Sequence, residues 1–148
     1  MKKLYLAILV LLAVPFIFPT NAIAHCEIPC AIYNDEMRIK MIKEHISTIE
    51  KSMNQIMNIE KEEYHNSNQL IRWVMNKERH ADELQEIITQ YFMTQRIKLN
   101  TKDYEKKLGL LHQMVIFSMK CKQTTDLNHV NKLRNLVKDF QVLYFGGK

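Results

Sequence analysis

The sequence predicts an all-α protein, an antiparallel four-helix bundle behind a short cysteine-bearing segment. Three observations lead there. Gly and Pro are scarce, three of each in 148 residues, so the usual punctuation of sheets and long loops is missing. Apolar residues recur three and four apart through four successive segments, the period of a helix that buries one face. Sustained period-two alternation and Asn-Gly hairpin turns are absent.

The elements follow in chain order. Lys2 and Lys3 precede an apolar run from Leu4 to Phe18, and Thr20-Asn21-Ala22-Ile23-Ala24 ends in Ala-x-Ala. That pattern predicts an export signal, residues 1–24, cut after Ala24. The apolar run is short for a membrane span, so no membrane association is expected after cleavage. The expected location is periplasmic or extracellular. His25 precedes Cys26 where a lipidation signal needs a small residue, and no twin-Arg pair is present.

The first bundle helix starts near Asp35, read as its N-cap, with a stripe of Ile39, Ile42, Ile46, Ile49, Met53 and Ile56. His65-Asn66-Ser67-Asn68 breaks it and caps the second helix. That helix carries Leu70, Val74, Ala81, Leu84, Ile88 and Tyr91 on one face, with Lys77 in register, and ends between Arg96 and Asn100. Thr101 is the expected cap of the third, with a stripe of Tyr104, Leu108, Leu111, Val115 and Met119. Thr125 or Asp126 caps the fourth, which holds Leu127, Val130, Leu133, Val137, Phe140 and Tyr144 and stops at Gly146-Gly147. Short polar connections make neighbouring helices antiparallel. The bundle domain spans residues 34–148.

Several chemistries are excluded. The net charge is +5, but basic and acidic residues are interspersed, so no nucleic-acid patch forms. Gly-x-Ser-x-Gly, His-Glu-x-x-His, Cys-x-x-Cys-His and a Gly-rich phosphate loop are all missing. In Glu62-Glu63-Tyr64-His65 the first Glu and the His are three apart, as in a di-iron bundle, but the second Glu has the wrong offset, and the run, at a helix end, reads as a solvated terminus. Lys77 and Glu78-Arg79-His80 likewise read as surface. Cys121, inside a helical pattern, reads as a small packed hydrophobe.

The segment at residues 25–33 is different. Cleavage after Ala24 would give His25 two nitrogen donors, a free α-amine and an imidazole. Cys26 and Cys30 add two thiolates, and the amide nitrogen of Cys26 completes a compact square. Square-planar nitrogen and sulfur donors suit nickel(II) or copper(II) better than zinc. The imidazole is free to approach axially. Thiolate and deprotonated amide donors bring nickel(III) within reach, so such a site suits one-electron redox chemistry.

His25-Cys26-Glu27-Ile28-Pro29-Cys30-Ala31-Ile32-Tyr33 resembles the nickel hook of the nickel-containing superoxide dismutases, His-Cys-x-x-Pro-Cys-Gly-x-Tyr. Further along, Ile71-Arg72, Lys77-Glu78, Tyr91-Phe92 and Lys122 with Thr125-Asp126 resemble family segments. The resemblance implies a four-helix bundle assembled as a homohexamer. It implies one nickel ion per subunit on His25, Cys26 and Cys30, with Tyr33 and Tyr91 beside the metal. It implies superoxide as substrate, converted to oxygen and hydrogen peroxide through a Ni(II)/Ni(III) cycle. It also suggests a cis Ile28-Pro29 bond. The sequence departs from the family at Ala31, at Asn34-Asp35, and at Lys40-Met41, where an acid that orients the axial imidazole is expected. Glu44, or Arg79 or His80 of a neighbouring subunit, is the expected substitute. The alternatives are an exported nickel- or copper-binding bundle without turnover, and an exported structural bundle with a Cys26–Cys30 disulfide.

Overall fold

A computed structural model describes residues 32–64 and 66–146. Its helices are α1 (Asp35–Ile59), α2 (Ser67–Glu86), α3 (Tyr104–Gln123) and α4 (Leu127–Phe145). A π-helical segment, Ile87–Arg96, continues α2 without a break. Each helix packs on its chain neighbours, and α4 closes the ring against α1. The all-helical bundle expected from periodicity is therefore the fold. Among the described residues no helix is long and apolar enough to cross a membrane.

The stripe of α1 is buried along its whole length, from Ile39 to Ile56. It meets Ala81, Leu84 and Ile88 of the second helix and Val130, Leu133, Val137 and Phe140 of the fourth in one core. Phe92 lies between Phe140 and Tyr144, each ring edge-on to it at 5.2 and 5.6 Å. A fully buried ring of this kind contributes about 2–3 kcal/mol by area, and its geometry adds to that.

Two caps fall where the sequence puts them. Asn66 accepts from Gln69 N at 3.1 Å and Asp126 accepts from Asn128 N at 2.9 Å. Two do not. Asn34, not Asp35, caps α1, accepting from Met37 N at 3.0 Å. Asp103, not Thr101, precedes α3, in a left-handed conformation with φ 56°. Thr101 instead turns its hydroxyl back to accept from Lys98 N, which closes the preceding turn.

Three burial expectations also fail. The inward face of α3 is Leu111, Met114, Ser118 and Cys121, while Met119 is exposed. Ser118 can lie inside because its hydroxyl donates to Ala81 O at 3.0 Å. Val74 is exposed, whereas Lys77 is buried. The Lys77 ammonium donates to the carbonyls of Lys122 and Thr124 at the end of α3. It satisfies orphan carbonyls there and complements the negative end of the helix dipole. Cys121 is buried as expected, and burial pushes its thiol up to about 11.

Candidate functional site

One end of the bundle gathers the first turn of α1, the π-helical segment and the last turn of α4. Asp35 is the first residue of α1 and is buried. Its carboxylate accepts from Tyr91 Oη at 2.6 Å, from Arg96 Nε and Nη2 at 2.8 Å each, and from Tyr144 Oη at 3.0 Å. The Arg96 contact is a two-pronged ion pair, the strong geometry for guanidinium and carboxylate. Burial works to raise the Asp35 pKa, but the bonds from Arg96, Tyr91 and Tyr144 outweigh it and hold the carboxyl below its ordinary value. Burial and the neighbouring carboxylate push the Tyr91 hydroxyl far above the usual tyrosine range. The Tyr144 hydroxyl is raised to about 12 for the same reasons. Both hydroxyls therefore stay protonated donors at any physiological pH.

Tyr33 lies against this cluster. Its ring stands edge-on to Tyr91, centroids 5.9 Å apart, and the Arg96 guanidinium sits 4.3 Å from its centroid. Arg38 lies 5.0 Å from the centroid of Tyr91. Tyr33 is 41% exposed while Tyr91 is 3% exposed, so the pair runs from surface to core. The structure thus brings together the two tyrosines picked out in the sequence. Tyr91 is a core residue whose hydroxyl reaches Asp35 and whose ring meets Tyr33. Arg38 places positive charge beside the pair, which favours approach of a small anion, whereas the charge of Arg96 is offset by Asp35.

Beside Tyr91 opens a cleft of about 230 Å³, whose lining includes Arg38, Met41, His45, Glu83 and Gln90. His45 reaches His80 at its wall, Nδ1 to Nδ1 2.8 Å. His80 is therefore half-buried and partnered within its own chain, not a plain surface residue. Glu44 forms a loose pair with Lys40 at 3.9 Å, both well exposed; among the described residues no closer ion pair holds it.

His25, Cys26 and Cys30 lie outside the described residues, as do the signal segment and the Ile28-Pro29 bond. As a donor set, two thiols, an imidazole and a potential terminal amine fit a borderline-to-soft divalent ion such as nickel. The described chain begins two residues after Cys30, and its first aromatic ring is the one docked on Tyr91 and Arg96. The hook is thus tied by sequence to the Asp35 end of the bundle.

Sequence reasoning missed Asp35, Arg96 and Tyr144 as partners. Asp35 looked like a cap, and Arg96 like the end of a helix. A family model described as nickel-containing superoxide dismutase matches residues 20–148 of the chain. No curated protein and no solved structure matches it.

Proposed function

Because the chain belongs to the nickel-containing superoxide dismutase family, matched over residues 20–148, we propose that His25, Cys26 and Cys30 form its metal site after cleavage at Ala24. The protein is an oxidoreductase that binds nickel and acts on superoxide. What is proposed is where and how. The donors are the α-amine and imidazole of His25, the amide and thiolate of Cys26, and the thiolate of Cys30. When bound there, nickel supplies the one-electron Ni(II)/Ni(III) couple that converts two superoxide ions and two protons to oxygen and hydrogen peroxide.

The chain's own residues prepare that chemistry. Cys26 and Cys30 must lose their protons to bind, so loading releases protons and weakens in acid. Tyr33 and Tyr91 form the wall that follows the hook, and the buried Tyr91 ring excludes bulk water from one side. Tyr91 Oη donates a hydrogen bond to Asp35 at 2.6 Å and keeps its proton, so it is an anchor and not a proton source. Protons are expected from solvent, on the exposed side of Tyr33. Arg38 adds an attractive field for the anion. We further propose an exported, homohexameric enzyme. Superoxide crosses membranes poorly, so an exported enzyme meets superoxide made outside the cytoplasm.

The observation that carries this reading is the hook string leading directly into Tyr33, which docks on Tyr91 and Arg96. The test is N-terminal sequencing and metal analysis of the mature active protein. His25 at the N-terminus with one nickel per chain is expected. Residues left ahead of His25 in the active form would remove the amine donor and sink the proposal, as would undiminished activity with zinc in place of nickel.

A further inference from the structure

Away from the hook, α1 and α2 bring three metal-ligand atoms to one point. His45 Nδ1 and His80 Nδ1 are 2.8 Å apart. Glu83 Oε2 is 3.4 Å from the first and 3.5 Å from the second. Among the described residues this is the group of three His, Cys, Asp or Glu side chains whose donor atoms converge. His80 and Glu83 sit three apart on one face of α2, and His45 faces them from α1.

The separations can be compared with what a metal demands. Bonds of about 2.0–2.1 Å to imidazole nitrogen and carboxylate oxygen put tetrahedral ligands about 3.3–3.5 Å apart and right-angled ligands about 2.9 Å apart. The two distances to Glu83, 3.4 and 3.5 Å, match the tetrahedral separation, and the 2.8 Å between the imidazole nitrogens lies just under the right-angled one. A shared proton explains the two imidazoles by themselves, as one Nδ1–H donating to the other Nδ1. It does not explain the carboxylate. Glu83 Oε2 stands near the outer limit of hydrogen-bond range from both nitrogens, equidistant to within 0.1 Å. A cation at the centre of the triangle satisfies all three lone pairs together.

The surroundings favour a neutral, ligating His45. Burial lowers its pKa, against the raising effect of Glu83, with smaller effects from His80 and Glu44. The His45 and His80 side chains are 13% and 20% exposed, and that of Glu83 is 44% exposed. The triad is therefore sheltered but reachable from the cleft that His45 and Glu83 help to line. The charged groups nearby are Arg79, 3.9 Å from the other oxygen of Glu83, and Arg38 and Glu86 along the cleft. Arg79 engages Oε1 and leaves Oε2 to the triad.

We propose that His45, His80 and Glu83 form a second metal site, a two-histidine, one-carboxylate site for a borderline divalent ion such as zinc. It would cross-link α1 to α2 and leave coordination positions for water or a small anion. The proposal does not rest on the hook: the hook donors are soft thiolates at the N-terminus, whereas these are nitrogen and oxygen on two packed helices.

The experiment starts from the mature chain carrying Cys26→Ser and Cys30→Ser, which lacks the hook thiolates. Zinc binding is measured by equilibrium dialysis, and cobalt(II) serves as the spectroscopic stand-in. One zinc per chain is expected, with a visible cobalt spectrum free of thiolate charge-transfer absorption. Adding His45→Gln or His80→Gln should weaken zinc binding by more than about tenfold, the lower end of what even outer-shell partners cost a metal site. Zinc should raise the thermal midpoint of the double-serine protein but not that of its Glu83→Gln derivative, each compared with its own metal-free form. No saturable zinc binding, or binding unchanged by both histidine substitutions, overturns the site. Failure of the hook instead shows as lost nickel in the chain with its cysteines intact.

Discussion

Asp35→Ala tests the buried ion-pair hub at the start of α1. The substitution removes the acceptor of four hydrogen bonds at 2.6–3.0 Å, two of them from the Arg96 guanidinium. It leaves a charge and two tyrosine hydroxyls without that partner. Breaking a buried ion pair from one side costs about 3–5 kcal/mol. The Arg96 side chain keeps 24% of its exposure and so retains part of its hydration. The lower end, about 3 kcal/mol, is the expected loss. That is roughly a 150-fold change in the unfolding constant and about 10 °C in thermal midpoint for a domain of this size.

The pH dependence has a definite sign. Asp35 is held below its ordinary value in the folded protein, so its contribution is complete above the unfolded carboxyl pKa of about 3.9 and is lost as pH falls through the folded value. The stability gap between wild type and Asp35→Ala should therefore narrow in acid. Asp35→Asn keeps an acceptor oxygen and should lose about half as much. Urea unfolding followed by far-UV circular dichroism, at neutral pH and below about pH 4, reads all three proteins. A neutral-pH gap under about 1 kcal/mol, or one that persists unchanged in acid, refutes the hub.

Three further outcomes follow from the same geometry. Tyr33→Leu removes the ring on which Arg96 rests at 4.3 Å; stability should change by about 1 kcal/mol or less, while kcat/KM for superoxide, read by pulse radiolysis, should fall severalfold. Lys77→Met strips the ammonium from the carbonyls of Lys122 and Thr124 and should cost about 1–3 kcal/mol, seen as a lower urea midpoint with an unchanged slope. Cys121 is fully buried with its thiol pushed up to about 11; in a Cys26→Ser, Cys30→Ser background it should resist alkylation at neutral pH until urea unfolds the bundle, and prompt labelling of the native protein would contradict its burial.

Much of the fold was legible because four helical stripes and two polar caps carry short-range information. All six residues picked for α1 are buried, and five of the six picked for α4. The third helix misled because it is apolar on more than one face. Leu108, Leu110, Val115, Ile116 and Phe117 are partly buried, while the inward stripe includes Ser118. Nothing in the local pattern shows that Ala81 O will accept from that hydroxyl. Lys77 stood on the apolar stripe of its helix, but charge argued for the surface. Its burial depends on carbonyls some 45 residues away. Of the site, Tyr33 and Tyr91 were legible from the family string, whereas Asp35 acquires its partners from the far ends of two other helices.

The π-helical segment explains why the last of these contacts was hidden. Tyr91 and Arg96 are five residues apart. On an α-helix of 3.6 residues per turn, that spacing separates them by about 140°, on nearly opposite faces. A π-helix has roughly 4.4 residues per turn, because each bond reaches one residue further. The same spacing then leaves about 50° between them, and both side chains can reach one carboxylate. The five-residue repeat is visible in the bonds themselves. Thr94 Oγ1 donates to Thr89 O, Gln95 Nε2 to Gln90 O, and Ile97 N to Phe92 O, at 2.8, 2.9 and 2.9 Å. A wider helix is ordinarily disfavoured and recurs at functional sites. Here it lets one strand of helix supply both the buried Tyr91, packed on Phe92 and Tyr33, and the Arg96 that pairs with Asp35 and covers the Tyr33 ring. In an α-helical continuation, Tyr91 and Arg96 would point apart and Tyr33 would lose one of its two supports. The geometry around Tyr33, Tyr91 and Arg96 therefore depends on a backbone choice that side-chain periodicity does not record.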